Sequence, residues 1–505
     1  MVMLGTIALT GYLYVIIPKG FFPQQDTGMI LGIAETAQDT SFHAMAQRME
    51  VAIKVVLEDP AVASVGDQIG PGGSTVAPNQ GRVFIALKPK GKRDVSADEV
   101  IRRLQHNLAR IQGITLYMQA AQDITIGARL TQTQYQYTLT DADSNELAHW
   151  SAIFLEKFKS LPEITDVAND QENTGLMLDV TINREVASSY GILPSTIDNT
   201  LDDAFGQRIV STIYTSLNQW HVVLEVDPKL QYGPDALSRI YVSSSTGQQV
   251  PLNTLVKSVV KASPIVVNHQ GMFPSTTLSF NLRPGVALGT AVDAIRAIER
   301  EFGKPLSLAT SFQGNASAFQ SSLRGEPVLI GAALVVIYII LGVLYENFIH
   351  PITILSTLPS AGIGALLLLM ACRIDLSVMA MLGIILLIGI VKKNGIMLVD
   401  FALEAEQNEG LTAEQSIYKA CLLRFRPILM TTMAALLGAV PLMLGTGTGS
   451  ELRQPLGYTI VGGLALSQIL TLFTTPVVYL YLDRLGSLRR LRSRSADIQT
   501  KTLLS

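Results

Sequence analysis

The chain has 505 residues, 48% hydrophobic and only 16% charged, with a formal net charge of -3. That balance removes the electrostatic case for nucleic-acid binding. Its two cysteines, Cys372 and Cys421, form no CxxC and no Cys/His cluster, so no disulfide framework, structural zinc or other metal site is expected.

The length alone fits about three domains. The apolar residues, however, concentrate at 1–17 and 327–482, while the middle reads as water-soluble. Residues 1–17 carry no charged side chain, and the first is Lys19. A signal peptide would have a basic start and a small-residue cleavage site. A spanning helix ended by Pro18 and Gly20 fits better.

Residues 29–35 alternate like a strand, 41–57 have helical periodicity, 82–88 are strand-like, 97–111 helical and 114–120 strand-like. A second series has a strand at 134–140, a helix through Phe158 and a strand at 176–182. Helices of this length between short strands predict α+β subdomains of split, ferredoxin-like βαβ units. One is expected at 28–130 and a second at 131–204 and 264–317. Between them, 205–263 is strand-rich, as at 220–226 and 239–243, and reads as an insertion. Strand and helix resume at 276–282 and 291–302.

Five long apolar runs follow, at 327–345, 351–372, 376–402, 427–444 and 455–482. Each is near or above the roughly 20 residues that cross a bilayer. With 1–17 they predict six spans, and so a polytopic α-helical membrane protein carrying a large α+β soluble domain. An even count puts both ends on one side. The tail, 483–505, holds Arg484, Arg489, Arg490, Arg492 and Arg494, and the fourth loop holds Lys419, Arg424 and Arg426, there offset by acids. Positive charge near span ends marks the cytoplasm, so the soluble domain is expected outside it.

One stretch interrupts this apolar pattern. Lys392 and Lys393 stand inside the run at 376–402, with Lys393 eight residues before Phe401. Eight residues are roughly 12 Å of helix, far for a lysine stem to snorkel. An ammonium in hydrocarbon costs about 3 kcal/mol or more, so it should face a partner or a wet cavity. The plainer reading is a helix that stops at Val391 with flanking lysines, but only about sixteen apolar residues then remain, short for a span. Asp400 lies seven residues later, either as a solvated helix terminus or in a role beside the lysine. Thr431 and Thr432, one turn after Pro427, either bond their own backbone or partner Lys393.

Other signals are weak. Gly70-Pro71-Gly72-Gly73-Ser74-Thr75 lacks the lysine of a phosphate loop and is expected to be a flexible loop. No HExxH, GxSxG or kinase-type set occurs, so no enzyme and no cofactor are expected. His269 and His350 read as ordinary polar residues near element ends, and Phe21, Phe22 and Tyr345 as aromatic anchors at the membrane interface.

The segment from Gly389 through Lys393 and Asn394 to Phe401, followed by Leu423-Arg-Phe-Arg-Pro-Ile-Leu-Met-Thr431, resembles the resistance-nodulation-division (RND) transporters. Ile17-Pro-Lys-Gly-Phe-Phe-Pro-Gln-Gln-Asp-Thr-Gly28, His350-Pro-Ile-Thr-Ile-Leu-Ser-Thr-Leu-Pro359 and Leu452-Arg-Gln-Pro-Leu-Gly457 resemble the MdtB/MdtC-type multidrug efflux subunits of that family. The resemblance covers only the second half of such a transporter, the seventh to twelfth spans and the second periplasmic insertion. It implies a multi-pass protein of the bacterial inner membrane that exchanges protons for amphiphilic drugs. It also implies a relay in which a lysine on the tenth span meets paired aspartates on the fourth. Lys393 matches that lysine, and Thr431 and Arg424 match polar relay positions. The aspartates are expected in a missing N-terminal half. The further partners implied are other RND subunits in a homo- or hetero-trimer, a periplasmic adaptor and an outer-membrane channel. Lys392 is an additional charge with no assigned role. Of the family's drug-pocket phenylalanines only Phe84 has a match, and the loop from Gly66 to Ser74 has no aromatic, so the usual substrate range departs here. The alternatives are a truncated, non-transporting scaffold or a relative that exports lipid or protein.

Overall fold

The computed structural model describes residues 1–70, 77–127, 131–231 and 233–502, with side chains described as far as Arg484. The glycine-rich loop at 71–76 and the side chains of Arg489, Arg490, Arg492 and Arg494 lie outside the described residues.

Helix α1 (Val2–Ile16) closes with the Ile17 amide on the Leu13 carbonyl, and Pro18 then ends the ladder. The chain turns back at once, pairing Lys19 with Leu376 and accepting the Gly289 amide at the Lys19 carbonyl, 2.9 Å. This turn puts Phe21 in a buried core against Phe319, ring centroids 6.3 Å apart. Expected as an interface anchor, Phe21 is instead a core residue of the soluble part.

The first sheet is built from β1 (Met29–Glu35), α2 (Phe42–Leu57), β2 (Val62–Ile69), β3 (Gln80–Leu87), α3 (Ala97–Leu108) and β4 (Thr115–Ala120). Its order is β2-β3-β1-β4, and every neighbouring pair is antiparallel. Ile30 and Ala34 on β1 and Val83 and Ile85 on β3 point to one face, where they meet Met45, Met49 and Val56 of α2 and Val100 and Leu104 of α3. Period-2 and period-3.6 apolar patterns thus meet in one core. Ser41 and Ser96 cap the two helices with their hydroxyls. Strand β2 escapes sequence detection because it is an edge strand with mostly exposed residues.

The second sheet starts with β5 (Tyr135–Thr140), α4 (Ser144–Ser160) and β6 (Ile164–Asn169). The chain then leaves it for a separate compact unit, Glu172–Val267 with Ala37–Thr40. This unit holds β7 (Gly175–Ile182), α5 (Arg184–Ser189), α6 (Pro194–Phe205), β8 (Arg208–Tyr214), β9 (Gln219–Leu224), β10 (Tyr241–Ser243), β11 (Gln249–Pro251), α7 (Leu252–Leu255) and β12 (Val256–Ser263). The strand near Leu176 pairs with β12 from Ile182↔Val256 to Gly175↔Ser263, so it belongs to this unit and not to the second sheet. Hairpin β8–β9 exposes Ile209, Ile213, Tyr214, Leu217 and Trp220.

The second sheet resumes with β13 (His269–Gln270), β14 (Phe273–Leu282), α8 (Leu288–Phe302) and β15 (Ala309–Gln313). Strands run β6-β14-β5-β15, with β13 at the start of β14, and again all pairs are antiparallel. Counting the four main strands in chain order, the two sheets repeat one arrangement. Aromatic rings fill this core: Tyr137 lies 5.0 Å from Phe312 and 5.5 Å from Phe158.

Helices α9 (Gly314–Tyr345), α10 (His350–Leu355), α11 (Leu358–Ala371), α12 (Val378–Glu409), α13 (Ala413–Met443) and α14 (Ser450–Thr502) follow. Among the described residues, five helical stretches are long and apolar enough to span: Gly314–Tyr345, His350–Ala371, Val378–Glu409, Ala413–Met443 and Ser450–Arg484. The sixth expected span, α1, has 15 residues, roughly 22 Å of helix against a hydrocarbon core of about 30 Å. The run expected as one helix from Pro351 breaks at Ser356 and Thr357, because Pro359 offers no N–H to the ladder. The Thr357 and Ser360 hydroxyls take up freed carbonyls of Ile354 and Thr357 at 2.8 and 2.6 Å. Helices α11 and α14 touch backbone to backbone: a Cβ at Gly462 would sit 2.5 Å from the Gly364 carbonyl oxygen.

Candidate functional site

Helix α12 passes uninterrupted through both lysines. Val391, Asn394 and Leu398 are buried against neighbouring helices, while Lys393 is exposed and Lys392 half-buried. Leu382, Leu386, Gly389, Lys393 and Asp400 share the exposed side, at spacings of three, four and seven that fall on one helical face. Among the described residues neither lysine takes part in a hydrogen bond or ion pair. A helix that stops at Val391 is therefore excluded; Lys393 sits halfway along a continuous 32-residue helix, on its open face.

Asn394, turned inward, ties α12 to α13. Its amide donates to the Thr432 hydroxyl at 3.0 Å, with both residues buried. Seven residues further along α12, the Phe401 ring carries the Arg424 guanidinium 3.8 Å from its centroid. These two contacts fix an antiparallel register that puts Lys393, Asn394, Thr431 and Thr432 at one level. Thr431 is exposed and donates to its own helix at the Ile428 carbonyl, 3.1 Å. Lys393 and Thr431 thus share a level with no hydrogen bond between them, and Arg424 lies about two turns away. The Asn394–Thr432 pair is the contact that the sequence did not announce, although an asparagine directly after the lysines in an apolar run was its signal.

Helix α12 continues past Ala402 to Glu409, so Asp400 is not a helix terminus. It accepts the Tyr345 hydroxyl at 2.5 Å, and Glu406 accepts the Tyr479 hydroxyl at 2.8 Å. His350 begins α10 with its ring stacked on Tyr479, centroids 6.0 Å apart.

Phe84 stands on β3, 41% exposed. It lines a small hollow of about 70 Å³ with Leu31, Arg82 and Gln132. A larger cleft, about 710 Å³, lies between the two sheets of the soluble part. Asp98, Arg102 and Gln105 of α3 line one wall, and Tyr135, Asp166, Asn281 and Arg283 the other. Asp166 holds both walls: its Oδ2 accepts from Gln105 at 3.3 Å and from Asn281 at 3.1 Å. Its φ of 52° lies in the left-handed region, which a non-glycine residue occupies only when its surroundings over-determine it. Burial pushes the Asp375 carboxyl at the cleft above the ordinary carboxylate range, and the Tyr135 hydroxyl well above that of a free tyrosine. The lining residues spread from Gly20 to Asp375, so no local motif could have gathered them. Among the described residues no group of three or more His, Cys, Asp or Glu is placed to hold a metal ion.

The chain matches the AcrB/AcrD/AcrF family over residues 1–483, and it belongs to this family of RND transporters. It is also similar to two solved structures, crystal forms I and II of a heavy metal efflux pump, at 21% and 20% identity. The TM-scores are 0.82 and 0.83, covering 95% and 96% of this chain but 49% and 50% of those. The likeness shows a shared fold, and this chain spans about half the length of the pump chains it matches.

Proposed function

We propose that this chain is the C-terminal half of a proton-driven RND efflux subunit of the bacterial inner membrane, a secondary transporter and not an enzyme. In this reading it moves amphiphilic compounds out of the periplasm or inner membrane in exchange for protons. The observation that carries the reading is Lys393. Its ammonium lies at membrane depth on the open face of α12 without a partner among the described residues. Charge in that position calls for a partner or a wet cavity. The resemblance supplies a partner, the paired aspartates of an N-terminal half. Thr431 at the same level and Arg424 two turns away complete the relay.

Six spans with both ends cytoplasmic and residues 28–317 periplasmic follow from counting the 15-residue α1 as a span. The repeated strand order of the two sheets supports ferredoxin-like porter subdomains. The cleft between them, together with the hollow at Phe84, offers the volume for a cargo path. The exposed apolar hairpin β8–β9 supports assembly with other subunits, in a homo- or hetero-trimer that engages a periplasmic adaptor and an outer-membrane channel. Cysteine labelling at Asp141 and Ser493 tests the topology: opposite sides are expected, and labelling of both from one side would refute it.

The neighbours' description as heavy metal efflux pumps favours a second cargo class, metal cations. Cells expressing the complete transporter, challenged with cationic amphiphilic dyes and with zinc or copper salts, separate the two. Resistance to dyes alone supports amphiphile efflux. Resistance to metals alone would replace it.

A further inference from the structure

A cavity of about 320 Å³ opens where α8, β15 and the first turns of α9 meet. The proposed relay and the cleft do not use it. Arg296 of α8 and Arg324 of α9 line it, with Ser317, Gln320 and Ser321. Among the described residues neither guanidinium is in an ion pair. The carboxylate among the lining residues, Glu299, is already neutralised by Lys304 at 2.9 Å and bonded by Thr310 at 2.5 Å. The cavity therefore holds an excess of positive charge.

Its back wall is also incomplete. The Gln320 side-chain nitrogen is buried there with no hydrogen-bond partner among the described residues, while the Tyr137 hydroxyl is engaged by Glu299 and Thr310. Buried donors are normally paired, so this amide awaits an acceptor. Two guanidinium forks and an amide facing one hollow match a phosphate, which offers several charged oxygens.

The cavity's position narrows the source. Arg324 lies three residues before Pro327, where α9 becomes apolar. Ser317, Ser321, Arg324, Val328, Val335 and Ile339 follow at spacings of three, four and seven, one face of the helix. On that face Val328, Val335 and Ile339 are 70%, 58% and 56% exposed. Polar donors and bare hydrocarbon thus meet within one turn. We propose that the Arg296–Arg324 cavity binds the phosphate headgroup of a membrane lipid whose acyl chains lie along the exposed apolar face of α9.

The test uses the whole chain in maltoside micelles, titrated calorimetrically with dioctanoyl phosphatidylglycerol, with dioctanoylglycerol and with inorganic phosphate. The phosphatidylglycerol is expected to bind, and dioctanoylglycerol, which lacks the phosphate, is not. Arg296→Gln with Arg324→Gln should weaken binding about tenfold or more. Gln320→Leu removes the unpaired amide at similar size and should weaken it about fivefold; it carries the test if the double variant fails to fold. Absence of binding, or unchanged affinity in Gln320→Leu and in a folded double variant, would overturn the site. Inorganic phosphate binding as tightly as the lipid would overturn the lipid assignment.

Discussion

Charge is treated in opposite ways in the soluble and membrane parts of this chain. In the first sheet's subdomain, Arg93 is matched on every side: its guanidinium meets Asp26 and donates to the Lys88 and Val95 carbonyls at 2.8 and 2.7 Å. Asp26 in turn accepts the Ala97 and Gly28 amides at 3.1 and 3.2 Å. Arg103 and Asp59 form a two-pronged pair with both contacts at 2.6 Å. In the membrane helices Lys393 has no such partner among the described residues. A charge that serves the fold comes with its counter-ion in the same chain, since a buried charge without one is costly. On the proposed reading, a charge left open within a span serves something beyond this chain's own stability.

The contrast can be broken first at Asp26. Replacing it by alanine strands Arg93 and should cost about 3 kcal/mol or more in unfolding experiments; a loss below 1 kcal/mol would place Arg93 in contact with water. Acid offers a second reading of the same pair. Burial raises the Asp26 carboxyl, but Arg93 and the two amides outweigh burial and hold it below the usual range. A depressed folded pKa adds stability that is complete above the unfolded value, about 4, and is lost as the pH falls through the lower folded value. The wild type should therefore lose stability below about pH 4 more steeply than Asp26→Ala, and parallel acid profiles would contradict the pairing.

Smaller effects are expected within the membrane helices. Gly462→Leu drives a side chain into the Gly364 carbonyl and Leu368, and overpacking of this kind costs about 2–3 kcal/mol. Unchanged thermal stability in detergent would mean that α11 and α14 are not in backbone contact. Thr432→Val removes the acceptor of the Asn394 amide and should cost about 1 kcal/mol; Thr431→Val, whose hydroxyl only bonds its own helix, should cost less.

Legibility followed the same division. Alternating and helical apolar patterns announced β1 and α2 almost to the residue, because one face of each is buried in a single core. Strand β2 stayed hidden as an exposed edge, and the strand near Leu176 was given to the wrong partner, since periodicity specifies a strand but not its neighbour. Phe21 read as a membrane anchor because its sequence position beside Pro18 says nothing of the turn that buries it. Lys393 was legible because a charge in an apolar run is rare. The cleft was not, since its walls come from distant segments joined only by folding.

The relay role of Lys393 is tested most directly by Lys393→Ala in the complete transporter, with efflux and membrane-embedded protein measured together. Because the lysine has no partner among the described residues of this chain, the variant should insert and resist heat like the wild type yet show no proton-coupled efflux. Wild-type efflux by Lys393→Ala, or loss of efflux only in proportion to lost folded protein, would contradict the role assigned to it.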